Sequence, residues 1–185
     1  MTRQEALQLV REHVKNKNSV KHMLATEAIM RALARRFGED EEIWGLAGLV
    51  HDIDMEIVNY RDHPEKHGQV GADILKEAGF GSVIIEAIKA HNPATGKIRE
   101  SRLEKAIYCV DPLTGLIVAA TLVLPSKKMA DLKTESVLKR FKEKSFAQGA
   151  SREKMAACSE IDLSLEEFIK IGLEAMQGIS QDLDL

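Results

Sequence analysis

Apolar residues recur at steps of three and four along almost the whole chain, and there are almost no runs with the period of two that a half-buried strand requires. That periodicity predicts an all-α fold. Helices are read over residues 3–15, over 19–37 with Ser19 as N-cap and Gly38 as the stop, and over 41–53. Pro64 suits the first position of a fourth helix, 64–78, closed by Gly79, and a fifth covers 82–91 before Pro93. Residues 92–100 read as loop. A long apolar helix over 101–124 is expected to kink or break at Pro112, with further helices near 135–144, 151–159 and 164–179.

At 185 residues the chain can fill one core, and nothing in its length requires two domains, so residues 1–185 are read as one domain. Only 4% of residues are aromatic, so the core must be aliphatic and few rings exist to stack bases. A net charge of -3 argues against a protein that coats nucleic acid or anionic membrane, and no stable nucleic-acid complex is expected. Cys109 and Cys158 lie far apart with no CxxC or Cys-His spacing, which fits a reducing compartment. The charged, interrupted N-terminal stretch is not a secretory signal, so a cytoplasmic location is expected. The greasy stretch 106–124 is broken by Asp111, Pro112, Thr114 and Gly115, and reads as a core helix rather than a membrane span.

Chemistry enters with the histidines. His22 shares a helical face with Ala25, Ile29 and Leu33; His51, followed by Asp52, with Ala47 and Val50; His67 with Val70, Gly71 and Ile74; His91 with Ile84, Ala87 and Ile88; Asp111 with Ile107, Thr114 and Val118. A single histidine on an apolar stripe is ordinarily a core residue bonded to a carbonyl. Five helices each burying one unpaired polar group is different, because each such group costs about 1 to 3 kcal/mol. A shared partner removes that cost. Imidazole and carboxylate together suit one or two divalent transition ions, manganese, iron, nickel, cobalt or zinc, whereas calcium prefers oxygen-only shells.

These residues also resemble a known pattern. His22, the pair His51-Asp52 in LAGLVHDID and Asp111 in AIYCVDPLTGL are similar to the H…HD…D motif of HD-superfamily metal-dependent phosphohydrolases, and His67 and His91 resemble the two extra histidines of binuclear members. The resemblance covers about residues 19–124 and implies an HD-domain/PDEase-like helical bundle, with the helices of 125–185 packed on it. It further implies that His22, His51, Asp52 and Asp111 hold one metal and that Asp52 bridges to a second held by His67 and His91. Two departures stand out: Asp54 occupies the place where many relatives have glycine, and Pro112 directly follows Asp111, where it disfavours helical geometry.

The implied activity is hydrolysis of a phosphate ester, of a small phosphorylated molecule or a nucleotide, by metal-activated water. Asp52 and Asp54 are the candidate catalytic residues, Asp54 as a proton donor or as the group that orients a metal-bound histidine. Lys127 and Lys128, after the Asp111 helix, are candidate phosphate ligands, ahead of Lys89 and Lys97. His13 and His63 read as surface residues, and Phe37 and Trp44 as core. The region from Ser151 onward carries no recognisable chemistry and is read as a cover that shapes substrate access or a homodimer. The same ligand types also suit a di-iron oxygenase similar to myo-inositol oxygenase, or a non-catalytic regulator that binds metal or nucleotide.

Overall fold

The computed structural model describes residues 1–185 and contains ten α-helices, four short 3-10 segments and no strand. The chain is an all-α helical bundle. In order, α1 is Arg3–His13, α2 Lys17–Phe37, α3 Glu41–Val50, α4 Gln69–Glu77, α5 Ser82–His91, α6 Arg102–Leu122, α7 Thr134–Lys142, α8 Arg152–Ala156, α9 Leu165–Gln177 and α10 Ser180–Leu183.

Local chemistry sets most of the helix starts. Thr2 with Glu5 and Ser101 with Glu104 form reciprocal capping boxes at α1 and α6, and Asp40 and Ser164 cap α3 and α9. Asn16, not Ser19, caps α2, accepting from the amides of Asn18 and Ser19 at 2.8 and 3.4 Å, so the helix begins two residues earlier than expected.

The centre is built from α2, α3, α5 and α6, with α1 on α3, α9 against α2 and α6, and α7 and α8 on α6. One contiguous apolar cluster runs from Ala6 to Leu183 and draws on residues from both the 19–124 stretch and the C-terminal helices. Helices α2 and α3 meet at Gly48, where a Cβ would lie 2.9 Å from the backbone N and Cα of Glu27. Glu27, almost fully buried there, accepts from Arg3 and Arg31, so the charge brought into the interface is paired.

Among the helices that carry the candidate site residues, three depart from expectation in their course. The third ends at Val50, which leaves Asp52 and Asp54 in the turn that follows rather than in a helix. The fourth is interrupted: Pro64–Lys66 is a 3-10 turn, His67 is extended, and α4 starts only at Gln69. Gly68, at φ 82°, makes the break, and a Cβ there would sit 2.8 Å from the carbonyl oxygen of Ile88.

Of the kink or break expected at Pro112, the break is absent: α6 passes through the proline as one helix. The proline forfeits the bond to the Tyr108 carbonyl, a loss of about 3 kcal/mol in an isolated helix. Complete burial of Cys109, Val110, Leu113, Leu116 and Ile117 on both sides holds the helix through that point. Helix α6 is also the one helix long and apolar enough to cross a membrane, and most of it is buried inside the bundle.

Candidate metal centre

His22 comes from α2, His51 from the C-terminal end of α3, Asp52 and Asp54 from the following turn, His67 from the extended link before α4, His91 from the last turn of α5 and Asp111 from the middle of α6. Six of these seven side chains converge. Asp52 lies at the middle: its Oδ1 is 3.4, 3.3 and 3.5 Å from the Nε2 atoms of His51, His67 and His91, and its Oδ2 is 3.4 Å from Nε2 of His22. Nε2 of His22 is also 3.4 Å from Oδ1 of Asp111. The result is two triads, His22-His51-Asp52 and Asp52-His67-His91, that share Asp52.

The outer hydrogen bonds determine which imidazole nitrogen faces inward. Nδ1 of His51 donates to the carbonyl of Gly48 at 2.9 Å, and Nδ1 of His91 to that of Ile88 at 2.5 Å. Nδ1 of His67 donates to Oδ1 of Asp54 at 2.7 Å. The Thr114 hydroxyl gives its proton to the Asp111 carbonyl, so it can only accept from Nδ1 of His22, 2.7 Å away. In the neutral form, therefore, all four histidines turn an Nε2 lone pair inward.

Two pairs of those lone pairs face each other closely, His22 with His51 at 3.1 Å and His67 with His91 at 3.0 Å. Such pairs repel unless a cation stands between them. Without a metal the cation is a proton. Burial opposes charging His22, but hydrogen bonds to Asp111 and Asp52 outweigh it and raise its pKa to about 10. For His67 burial is likewise outweighed, here by Asp52 and Asp54, and its pKa is also raised to about 10. For His51, fully buried, the desolvation outweighs the attraction of Asp52 3.4 Å away and depresses the pKa to about 4. Burial alone would raise the two carboxyls. The imidazoles nevertheless hold Asp52, through His51 first, and Asp111, through His22 first, below the usual carboxylate range. Each triad thus takes one positive charge, and the donor set of imidazole and carboxylate suits a divalent ion in each half.

Asp54 is fully buried and does not line the cavities above the cluster. Besides His67 it accepts from the amides of Gly68 and Gly71 at 2.8 and 2.7 Å, which anchors the start of α4. Its geometry is that of a group orienting His67, not of a proton donor to substrate. Asn92 supports the same segment by donating to the carbonyls of Pro64 and His67 at 2.7 and 2.9 Å.

Two adjoining cavities, of about 290 and 360 Å³, open onto Asp52 and Asp111, and a third, of about 450 Å³, touches the cluster only at His22 and its partner Thr114, with Lys21 on its wall. The first is lined by Asp52, His67, His91, Asn92, Asp111 and Lys154 among others, the second by His22, Asp52, Asp111 and Thr114. Lys127 and Lys128 line neither. Because α6 does not break at Pro112, it carries the chain from Asp111 to Leu122, about 16 Å along its axis, before the two lysines are reached. They are exposed on the turn beyond it. His63 is exposed beside Glu65, His13 bonds to the carbonyl of Leu9, and Trp44 is buried against Phe37.

Sequence reasoning placed Thr114 on the helical face of Asp111 without giving it a role, and passed over Asn92 and Lys154. No comparable signal exists for Lys154, which comes from α8 and reaches Asp111 across 43 residues of chain, Nζ to Oδ2 3.4 Å.

Comparison with known proteins agrees with this geometry. The HD domain family model matches residues 20–114, which contain all six convergent residues. Ribonuclease Y of Lachnoclostridium phytofermentans is 25% identical over 90% of this chain and 32% of its own length; ribonuclease Y of a Sulfurovum species is 29% identical over 74% and 26%. The chain therefore spans about a third or less of these ribonucleases. An uncharacterised protein of Methanocaldococcus jannaschii, MJ0778, is 30% identical over 70% of this chain and 78% of its own. No solved structure matches. With the family model spanning half of the chain and a buried His/Asp cluster compatible with a divalent metal site inside the matched region, the protein belongs to the HD-domain family, a superfamily of metal-dependent hydrolases.

Proposed function

We propose that the protein is a metal-dependent phosphohydrolase that cleaves a phosphate ester of a small molecule or nucleotide. The observation that carries this reading is the convergence of four inward Nε2 atoms and two carboxylates beneath an open cavity. Such a set is unfavourable with nothing between its members and leaves room above it for substrate. His22, His51, Asp52 and Asp111 would hold one ion, and His67, His91 and the shared Asp52 the other. When bound, these ions supply Lewis acidity toward a phosphoryl group and make water nucleophilic near neutral pH.

The chain's own groups do the rest. Gly48, Ile88, Asp54 and Thr114 fix the tautomer and tilt of the four imidazoles, so that no reorganisation is needed when substrate arrives. Burial of His51, Asp52 and His91 keeps bulk water from the inner side of the cluster. The cavities, about 290 and 360 Å³, match a small substrate in size. The ribonuclease relatives make a short RNA the polymer to include in a substrate screen, although the net charge of -3 offers no general attraction for one.

The test is elemental analysis of the purified and metal-stripped protein, followed by a screen of phosphate esters with manganese, nickel, cobalt or iron added. One or two transition ions per chain are expected, with phosphate release that drops by at least about a hundredfold in His51→Ala and Asp52→Ala. Absence of bound metal would sink the reading, and iron pairs without phosphate release would replace it with oxygen chemistry.

A further inference from the structure

Among the residues lining the two cavities above the cluster there is one lysine or arginine, Lys154. It lies outside the region matched by the family model, on α8, in the part of the chain whose sequence carries no recognisable chemistry.

Its position is built rather than incidental. Two residues earlier, the Arg152 guanidinium donates to the carbonyls of Arg140, Phe141, Glu143, Phe146, Ala147 and Ala150, gathering the segment between α7 and α8 around one side chain. That segment brings Gly149 to the rim of both cavities. Ser151 caps α8 by accepting from the backbone amide of Lys154 itself, at 3.2 Å. The amine then extends past the Tyr108 ring, 5.3 Å from its centre, to lie 3.4 Å from Oδ2 of Asp111. The other oxygen of Asp111 faces His22 in the cluster. One carboxylate therefore separates the ammonium from the centre where a cation would sit.

A phosphoryl group has more oxygens than two ions can take while one position is left for the attacking water, and the remaining oxygen needs a cationic donor. We propose that Lys154 is a substrate-binding residue whose ammonium holds a phosphoryl oxygen above the cluster, with Asp111 keeping it aimed there. The proposal rests on the phosphohydrolase reading. It also assigns the C-terminal helices a part in the site: they supply the cation that the matched region lacks on this cavity.

The probe is inorganic phosphate, titrated calorimetrically into the manganese-loaded full-length protein and into Lys154→Met, Lys154→Arg and the surface double variant Lys127→Met/Lys128→Met, with manganese content measured on each. The ammonium bond predicts unchanged manganese content and phosphate affinity weakened about tenfold or more in Lys154→Met. Lys154→Arg should recover most of that affinity, and the double variant should match the parent. Equal affinity in Lys154→Met overturns the proposal. So does loss of manganese in Lys154→Met that accounts for its loss of phosphate, restored in Lys154→Arg, which would make the amine only a counter-charge for Asp111, and so does absence of phosphate binding by the loaded parent. If phosphate is held through Lys154 but no ester is turned over, the hydrolase reading fails while the anion site stands.

Discussion

Asp54 accepts three hydrogen bonds at full burial, one from Nδ1 of His67 and two from the amides of Gly68 and Gly71. Replacing it with Asn removes the charge and supplies an NH2 group where only acceptors fit. Asp54→Asn is expected to weaken the His67-His91 half of the centre about 10- to 100-fold in metal affinity while sparing the His22-His51 half. Stepwise metal titration followed by elemental analysis would show a first ion bound as before and a second lost. Protons hold those same places in the metal-free protein. With His22 and His67 raised to about 10 from an ordinary 6.5, the folded state binds more protons than the unfolded one between those values. Their contribution to stability is complete below about pH 6.5 and is lost as pH rises through about 10. The melting temperature of the metal-free protein should therefore fall from pH 7 to pH 10, and metal loading near pH 7.5 should release about two protons. Calorimetry in buffers of different ionisation enthalpy checks the second outcome. A loading enthalpy independent of the buffer would contradict it.

Helices α2 and α3 hold His22 and His51 at the correct separation because their backbones approach closely at Gly48. A methyl group there meets the Glu27 backbone, which cannot rotate away as a side chain could. Gly48→Ala should cost about 1 to 3 kcal/mol, read as a lower urea midpoint with an unchanged slope. It should also lower affinity for the first ion, since the separation of His22 from His51 would grow. Helix α6 does its part by staying intact: continuity through Pro112 keeps Thr114 one turn from Asp111, where its hydroxyl serves both the Asp111 carbonyl and His22.

At the scale of the whole molecule, four helices and two connecting segments meet at the cluster, so an ion there ties together parts of the chain far apart in sequence. A ligand that binds only the folded state stabilises it by about 2.7 kcal/mol at a hundred times its dissociation constant. For a chain of this length that corresponds to a melting temperature about 5 to 10 °C higher. Chelation should remove the increment from the parent and leave Asp52→Ala, which has lost the shared carboxylate, almost unaffected. Differential scanning calorimetry with and without manganese reads both.

The helical fold was legible from apolar stripes at steps of three and four, and those stripes also put His22, His51, His91 and Asp111 on core-facing positions; Asp52 and His67, which lie outside helices, were legible only from the order of the motif along the chain. Helix ends and connections were less so. Ser19 competed with Asn16 for the cap, and the break at Gly68 depends on Ile88 lying against it from another helix. Pro112 is tolerated only because neighbouring helices bury both sides of α6, an energy that local propensity does not contain. By sequence Asp54 can be read as acid or as orienter; its burial and three donors, which come from other segments, favour the second. That Lys154 and not Lys127 or Lys128 lines the cavities has the same origin: which amine reaches a site depends on where helices carry it in space, and that is settled by packing between segments, not by position along the chain.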